Sequence, residues 1–457
     1  MRRRWIVLPP ALLSLVLGLW GLRRGGSLWL DEAATDALAR RELPELWGTL
    51  QHIDAVHGLY YLLMHALYGV FGDGVPVLRL PSVLATAMAT AGVAMLGRTL
   101  VSPRAGLLAA LAFPLLPAVQ RYAQEGRSYA LVCALVVWAT YALVRAMAQG
   151  RRRGGVWVWY AALMLGACLL HEFAVLALVA HGLAVPGATL RAWASAAGCV
   201  VAGLVPLVVV SLRQSAQVAW IGGVSGSSYG GFAWVAGLGL VCAVLAPAAL
   251  RRLALALLIV PTGLLMVVSL VKPLYVDRYV LYGLSGLALL LGAALDWALE
   301  RGRLRVVAAL AAAGAVAALV PTAVQLRTPQ SRSDDVTAVA QAIRENAAPG
   351  DAVLYLPTRR RVWPPPEPGL RDVALDRDPV SSRTLYGTEA SPARIESRIR
   401  ASGRIVVVSQ LGSAPLDAAE REREAAKRRV LRDAFGPCLT RRVASTQVTV
   451  YARPGRC

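Results

Sequence analysis

Two adjacent carboxylates, Asp31 and Glu32, stand in the run Trp29-Leu30-Asp31-Glu32, just beyond the apolar stretch that opens the chain. A carboxylate held beside a hydroxyl can take its proton and orient the oxygen as a nucleophile. Acids in loops are also ordinary solvated charges, and Asp31 has the spacing to cap a helix through Ala33–Leu38. Further on, Asp54-Ala55-Val56-His57-Gly58-Leu59-Tyr60-Tyr61 and then His65 put His57, Tyr61 and His65 at i, i+4 spacing, one face of a helix. Such a face suits an amphipathic sugar donor; it equally suits anchoring at a membrane rim, where Tyr is favoured. A dense polar run, Arg121-Tyr122-Ala123-Gln124-Glu125-Gly126-Arg127-Ser128-Tyr129, interrupts two apolar stretches, and Lys272-Pro273-Leu274-Tyr275-Val276-Asp277-Arg278-Tyr279 interrupts two more. The forked guanidinium of Arg matches phosphate oxygens. Arg278 is therefore a candidate phosphate ligand, with an ordinary ion pair to Asp277 as the alternative. His171-Glu172 is a smaller pair of the same kind.

What positions these residues is a membrane. The chain has 457 residues, 56% of them hydrophobic, and a mean hydropathy of +0.53, more apolar than a water-soluble surface of that size allows. Net charge is +21, and all but two of the basic residues are Arg. They punctuate apolar runs as membrane loops do. There is no zinc-knuckle spacing and no basic stripe with interleaved aromatics, so nucleic acid is excluded as a partner. Spans of about 20 apolar residues cross a bilayer. The expected ones are Trp5–Leu22, Val75–Leu96, Ala105–Val119, Tyr129–Val144, Val156–Leu170, Phe173–Leu190, Ala192–Leu212, Phe232–Leu250, Leu253–Val271, Val280–Leu299 and Val306–Val324. That is about eleven, three of them short. The start Met1-Arg2-Arg3-Arg4 resembles a signal peptide, but no small-residue cleavage site follows, so the first run is expected to stay as a span.

Charge then sets orientation. With the N-terminus cytoplasmic, Arg2–Arg4, Arg98, Arg104, Arg145, Arg151–Arg153, Arg191, Arg251, Arg252, Arg301, Arg303 and Arg305 all fall inside. The outer loops keep only Arg23, Arg24, Arg121, Arg127, Arg213, Lys272 and Arg278. All four polar motifs lie on the outer side. The expected domains are a membrane catalytic domain, 1–324, whose outer loop 25–74 carries the acid pair, and an extracytoplasmic α/β domain, 325–457. In the latter, Asp334–Asn346 and Leu416–Ala434 look helical, and Ala352–Leu356, Ile405–Val408 and Gln447–Ala452 look like strands. Cys133, Cys168, Cys199 and Cys242 read as small core residues, while Cys438 and Cys457 can pair if the tail is outside.

Together these motifs resemble the polytopic GT-C glycosyltransferases, in particular the protein O-mannosyltransferase and aminoarabinose-transferase-like superfamily with its bacterial mannosyltransferases. The likeness rests on Trp29-Leu30-Asp31-Glu32, on Asp54 through His65, on Arg79-Leu80-Pro81-Ser82, on Ala123 through Tyr129 and on Asp277-Arg278-Tyr279, in that order. Many relatives carry His-Pro-Pro-Leu-Tyr where this chain has His57-Gly58-Leu59-Tyr60, and the tail shows no β-trefoil. The resemblance implies an α-helical polytopic fold and an inverting transfer of mannose or another hexose or pentose from a polyprenyl-phosphate donor to an acceptor hydroxyl. It implies Asp31 as catalytic base with Glu32 in support, and Arg278 with Lys272 or Arg127 on the lipid phosphate. His57, Tyr61, Arg79, Glu125 and Tyr275 would line the donor or acceptor pocket. No cofactor or metal is carried over, since relatives differ in this. The acceptor is a glycan, lipid, protein or peptide. A transporter of a lipid-linked intermediate is the alternative, but transporters place polar groups on broken helices at the midplane. A non-catalytic scaffold would leave the acids and Arg278 without a task.

Overall fold

A computed structural model describes residues 3–149, 154–362, 369–410 and 417–457. Arg2, the basic run Arg151–Arg153 and the first residue of the expected Leu416–Ala434 helix lie outside the described residues. The chain divides into two compact units. One comprises Met1–Leu22, Ala55–Tyr60 and Pro76–Arg327; the other comprises Arg23–Asp54, Tyr61–Val75 and Thr328–Cys457.

The first unit is helical. Among the described residues, eight helices are long and apolar enough to cross a membrane: Arg4–Gly26, Val75–Leu100, Tyr129–Ala148, Gly187–Arg213, Gly226–Val244, Ala248–Val268, Asp277–Leu299 and Gly302–Gln325. Three further expected spans are the shorter apolar helices Pro103–Leu115, Gly154–Leu170 and Glu172–Ala184. Large apolar side chains face outward, Val307 and Leu310 on the last long helix and Trp159 on Gly154–Leu170 among them. Water would penalise that arrangement, and lipid does not. This is a multi-pass membrane protein. Helices meet through small residues: a Cβ on Gly97 would stand 2.7 Å from Gly106 Cα, and one on Gly292 would stand 2.5 Å from Ala109 Cβ.

Several buried polar groups inside this unit are paired. Asp296 accepts from Ser102 Oγ at 2.7 Å and from Arg104 Nε. His181, fully buried, lies 2.9 Å from Thr140 Oγ1 and 3.1 Å from the Tyr160 hydroxyl, which also accepts from Trp193 Nε1. Cys133, Cys168 and Cys242 are buried as expected; Cys199 is exposed, because it falls on the outward face of Gly187–Arg213.

The second unit holds a five-stranded sheet, ordered β2-β1-β5-β7-β6, and a two-stranded ribbon of β3 and β4. The strands are β1 Ala352–Leu356, β2 Arg371–Asp372, β3 Leu375–Arg377, β4 Thr388–Glu389, β5 Arg404–Gln410, β6 Gly436–Val443 and β7 Thr446–Ala452. β1 pairs in parallel with β2 and β5, while β7 is antiparallel to β5 and β6. Alternation along the strands feeds two cores. Val353, Tyr355, Val406, Val408, Val448 and Val450 pack with Val336, Val339 and Ile343 of helix Val336–Asn346. Leu354, Leu356, Ile405 and Val407 pack with Ile395 and Ile399 of helix Pro392–Ala401 and with Val430 and Leu431 of helix Ala418–Ala434. Ala33 and Ala34, from the segment carrying the acid pair, belong to the first of these cores. A disulfide joins Cys438 to Cys457.

At the ribbon, Glu389 binds Lys427 Nζ at 2.7 Å and Arg361 Nη2 at 2.8 Å, all three nearly out of solvent. Burial alone would push the Glu389 carboxyl up, but Lys427 and Arg361 outweigh it and hold it below the usual carboxylate range. Its stabilising contribution is thus present above the unfolded carboxyl pKa of about 4.3 and disappears as pH falls through the lower folded value. Glu389→Gln takes the carboxylate from buried Lys427, while Arg361 keeps Asp372 at 2.6 Å, and is expected to cost about 3 kcal/mol at neutral pH. Amide exchange of β1 and β5 in the intact protein, followed against denaturant, should show that loss and a weaker acid sensitivity in the mutant.

Candidate active site

The polar loop motifs of the membrane unit converge on a cluster of rings and cations. His57 closes a short 3-10 turn, Ala55–His57, whose Ala55 N–H donates to Gln214 Oε1 at 3.0 Å. Its buried ring lies 5.5 Å from His171 and meets Tyr129 edge-on at 6.4 Å. His171 lies 5.6 Å from Tyr129 and 4.4 Å from Tyr279, and Phe173 stacks on Tyr279 at 5.4 Å. The Tyr282 hydroxyl donates to Phe173 O at 3.2 Å, fixing Asp277–Gly283 to the segment after His171.

Arg278 crowns this cluster. Its Nε donates to the Tyr129 hydroxyl at 3.1 Å, and its guanidinium stands 5.4 Å from the Tyr129 ring, 5.7 Å from Trp220 and 5.8 Å from Tyr279. Aromatic faces hold a guanidinium without cancelling its charge. Asp277 accepts from the Tyr122 hydroxyl at 2.8 and 2.9 Å and from the Arg278 backbone N–H at 2.9 Å.

The loop with Glu125 and Arg127, both buried, is held from two sides. Ser82 Oγ donates to Glu125 O at 2.5 Å, with Arg127 O as second acceptor at 3.2 Å. Gln124 Nε2 donates to Gly18 O and Trp20 O at 2.8 and 2.7 Å. Gly126 is required because a Cβ there would stand 2.4 Å from Leu78 Cγ. Arg79, expected to line the pocket, donates to Leu22 O at 2.6 Å and so ties Val75–Leu100 to the end of the first span. Lys272 is exposed and Tyr275 half-buried on the loop leading to Arg278.

In the second unit, the acid pair opens helix Leu30–Ala39, with Trp29 at the cap position. Asp31 is therefore a first-turn residue and not the cap; the helix starts earlier because Leu30 packs against the sheet core. Asp31 is half-buried, and its carbonyl accepts from Thr35 Oγ1 at 3.1 Å. Glu32 is fully buried and ion-paired to Arg24 at 3.3 Å, also buried. Tyr61 and His65 share helix Gly58–Phe71, and His57 ends the 3-10 turn that runs directly into it. The Tyr61 hydroxyl donates to Asp54, and His65 Nδ1 lies 3.0 Å from Ala39 O. Among the described residues, no three His, Cys, Asp or Glu side chains are grouped to hold a metal.

Tyr129, Tyr279, Phe173, Tyr122 and Trp220 are the members that sequence reasoning did not select as site residues. Their signal was proximity to charged motifs: Tyr129 ends the run from Glu125, and Tyr279 follows Arg278.

Residues 59–213 match the family model described as dolichyl-phosphate-mannose-protein mannosyltransferase. Among curated proteins, none matches the chain. The structure is similar to that of ArnT from Cupriavidus metallidurans in the apo state, with a TM-score of 0.58 and 14% identity over 98% of this chain and 97% of that one. Against ArnT bound to undecaprenyl phosphate the TM-score is 0.59, again at 14% identity, over 98% of each chain. The archaeal oligosaccharyltransferase AglB from Archaeoglobus fulgidus, in complex with an inhibitory peptide and a dolichol-phosphate, aligns at a TM-score of 0.51 and 11% identity, over 99% of this chain and 74% of that one. At such identities the likeness is one of fold. The chain thus shares the fold of these glycosyltransferase structures, with a small strand-containing C-terminal domain, and residues 59–213 match the mannosyltransferase family model.

Ser82→Ala removes a hydroxyl donor to the Glu125 carbonyl and should cost about 1–3 kcal/mol locally. Hydrogen exchange across residues 123–128 should accelerate in the mutant while the helix Gly302–Gln325 is unaffected.

Proposed function

We propose that this chain is an inverting glycosyltransferase that moves a sugar from a polyprenyl-phosphate donor to an acceptor hydroxyl on the extracytoplasmic face. The observation that carries this reading is Arg278, a guanidinium bonded to the Tyr129 hydroxyl and flanked by three aromatic rings at the end of a span. Such a cation, beside a floor of imidazoles and rings, suits a phosphate carrying a sugar. Mannose or another hexose or pentose is the sugar. ArnT with bound undecaprenyl phosphate, sharing this fold, and the mannosyltransferase family domain support a lipid-linked donor.

In this reading the acceptor oxygen attacks the anomeric carbon opposite the phosphate. Asp31 takes the hydroxyl proton as the new C–O bond forms. The sugar–phosphate C–O bond breaks, and its electron pair leaves on the lipid phosphate. Arg278, with Lys272 or Arg127, balances the charge that develops there. His57 and Glu125 shape the sugar pocket, and Glu32, paired with Arg24, braces the helix of Asp31. Membrane domain 1–324 supplies the donor site, and domain 325–457 stands outside the cell with the N-terminus cytoplasmic. The Arg-poor outer loops and the Cys438–Cys457 disulfide favour that side for the tail. The acceptor is a cell-envelope glycan, a lipid, a protein or a peptide.

Purified protein in lipid, given radiolabelled polyprenyl-phosphate-mannose and a cell-envelope extract, tests this. Asp31→Asn should lower transfer about 10²- to 10⁴-fold with donor binding kept. Arg278→Ala should weaken donor binding about 10- to 100-fold. Equal turnover in Asp31→Asn would remove Asp31 from the mechanism, and undiminished donor binding in Arg278→Ala would remove the phosphate site.

A further inference from the structure

The helix bearing Asp31 is held by a residue from the other end of the chain. The first N–H groups of a helix have no partner within it. In helix Val336–Asn346, the Asp335 carboxylate takes the Ala338 N–H at 2.9 Å. The Val336 N–H, left over, donates to Leu28 O at 2.7 Å. Beside it the Thr337 hydroxyl does two things at once: Oγ1 accepts from Leu28 N at 3.2 Å and donates to Gly26 O at 2.9 Å. Three hydrogen bonds thus fasten residues 26–28 to the start of this helix.

Two residues later the chain enters helix Leu30–Ala39 with Asp31 in its first turn. The rest of that helix is seated on the same unit. Ala33 and Ala34 enter the sheet core, and Leu28 and Leu30 pack against it. On the other flank the Tyr68 hydroxyl donates to Asp36 at 2.8 Å. Thr337 grips the turn that leads into Asp31 through a side chain that a single substitution can disarm.

We propose that Thr337 is a positioning residue for Asp31, so that the C-terminal domain sets the placement of the catalytic base. The proposal rests on the transferase reading above and on Asp31 as its base. A displacement of about 1 Å at a reacting group can cost on the order of 100-fold in rate, so a hydroxyl that fixes the preceding backbone has leverage on turnover. Thr337→Val keeps the shape and removes both side-chain bonds; Thr337→Ser keeps both.

The test uses the full chain in lipid nanodiscs with polyprenyl-phosphate-mannose as donor and a cell-envelope extract as acceptor. In Thr337→Val, kcat should fall about tenfold with the KM for donor unchanged. Exchange of backbone amides in residues 26–30 should accelerate at least about fivefold, the net worth of each of the two bonds lost. Thr337→Ser should restore both readouts, which a merely disordered domain would not do. Wild-type kcat in Thr337→Val, alongside an inactive Asp31→Asn, would overturn the proposal and leave the transferase reading standing. An Asp31→Asn enzyme as fast as wild type would overturn the base assignment and the proposal with it. Lost turnover with unchanged exchange at 26–30 would also overturn it, since the effect would not run through the clamp.

Discussion

A charge or an open hydrogen-bonding group away from water must find a partner inside the protein, and that constraint organises this chain. It keeps ionised residues out of most spans and gathers them at the helix ends. It pairs Asp296 with Arg104 and Ser102, and ties Arg79 to Leu22 O. It also anchors Arg327 on Gln120 and Leu17 O. In the second unit it produces the buried pairs Arg24–Glu32 and Lys427–Glu389. Arg278 meets the same rule with the Tyr129 hydroxyl and the rings around it.

The two units answer the constraint differently. The membrane unit presents apolar faces outward and spends its polar side chains on loop anchoring: Ser82 and Gln124 fix the loop 123–128, and Gln214 fixes the turn of His57. The second unit is a conventional α/β layer arrangement with alternating strands and two cores. Its surprise lies in its membership, since residues 23–54 and 61–75 cluster with the C-terminal 328–457. The helix that bears the acid pair is therefore built into the core of a domain whose sequence begins far downstream.

Much of this was legible in the residues, and the rest was hidden for physical reasons. Long apolar runs announce helices whatever their partners, so the spans were readable, including the three that form shorter helices. Strand alternation revealed β1, β5 and β7, but β2, β3 and β4 are too short to show a period. The place of His57 was not legible. The i, i+4 spacing does not announce that Asp54 takes a left-handed conformation or that His57 ends a 3-10 turn running into the helix. Glu32 reads like Asp31 in sequence; only the fold reveals that one is committed to Arg24. The bonds from Thr337 to Leu28 and Gly26 span 309 and 311 residues, and no local pattern encodes them.

The central claim is a single displacement at the anomeric carbon of a lipid-phosphate sugar. It is tested most directly by the configuration of the product, determined by NMR on sugar transferred by purified protein from polyprenyl-phosphate-mannose of known anomer. A glycoside of opposite configuration, formed in step with release of one lipid phosphate, is the predicted result. Retained configuration, or release of sugar only from a nucleotide-linked donor, would contradict it.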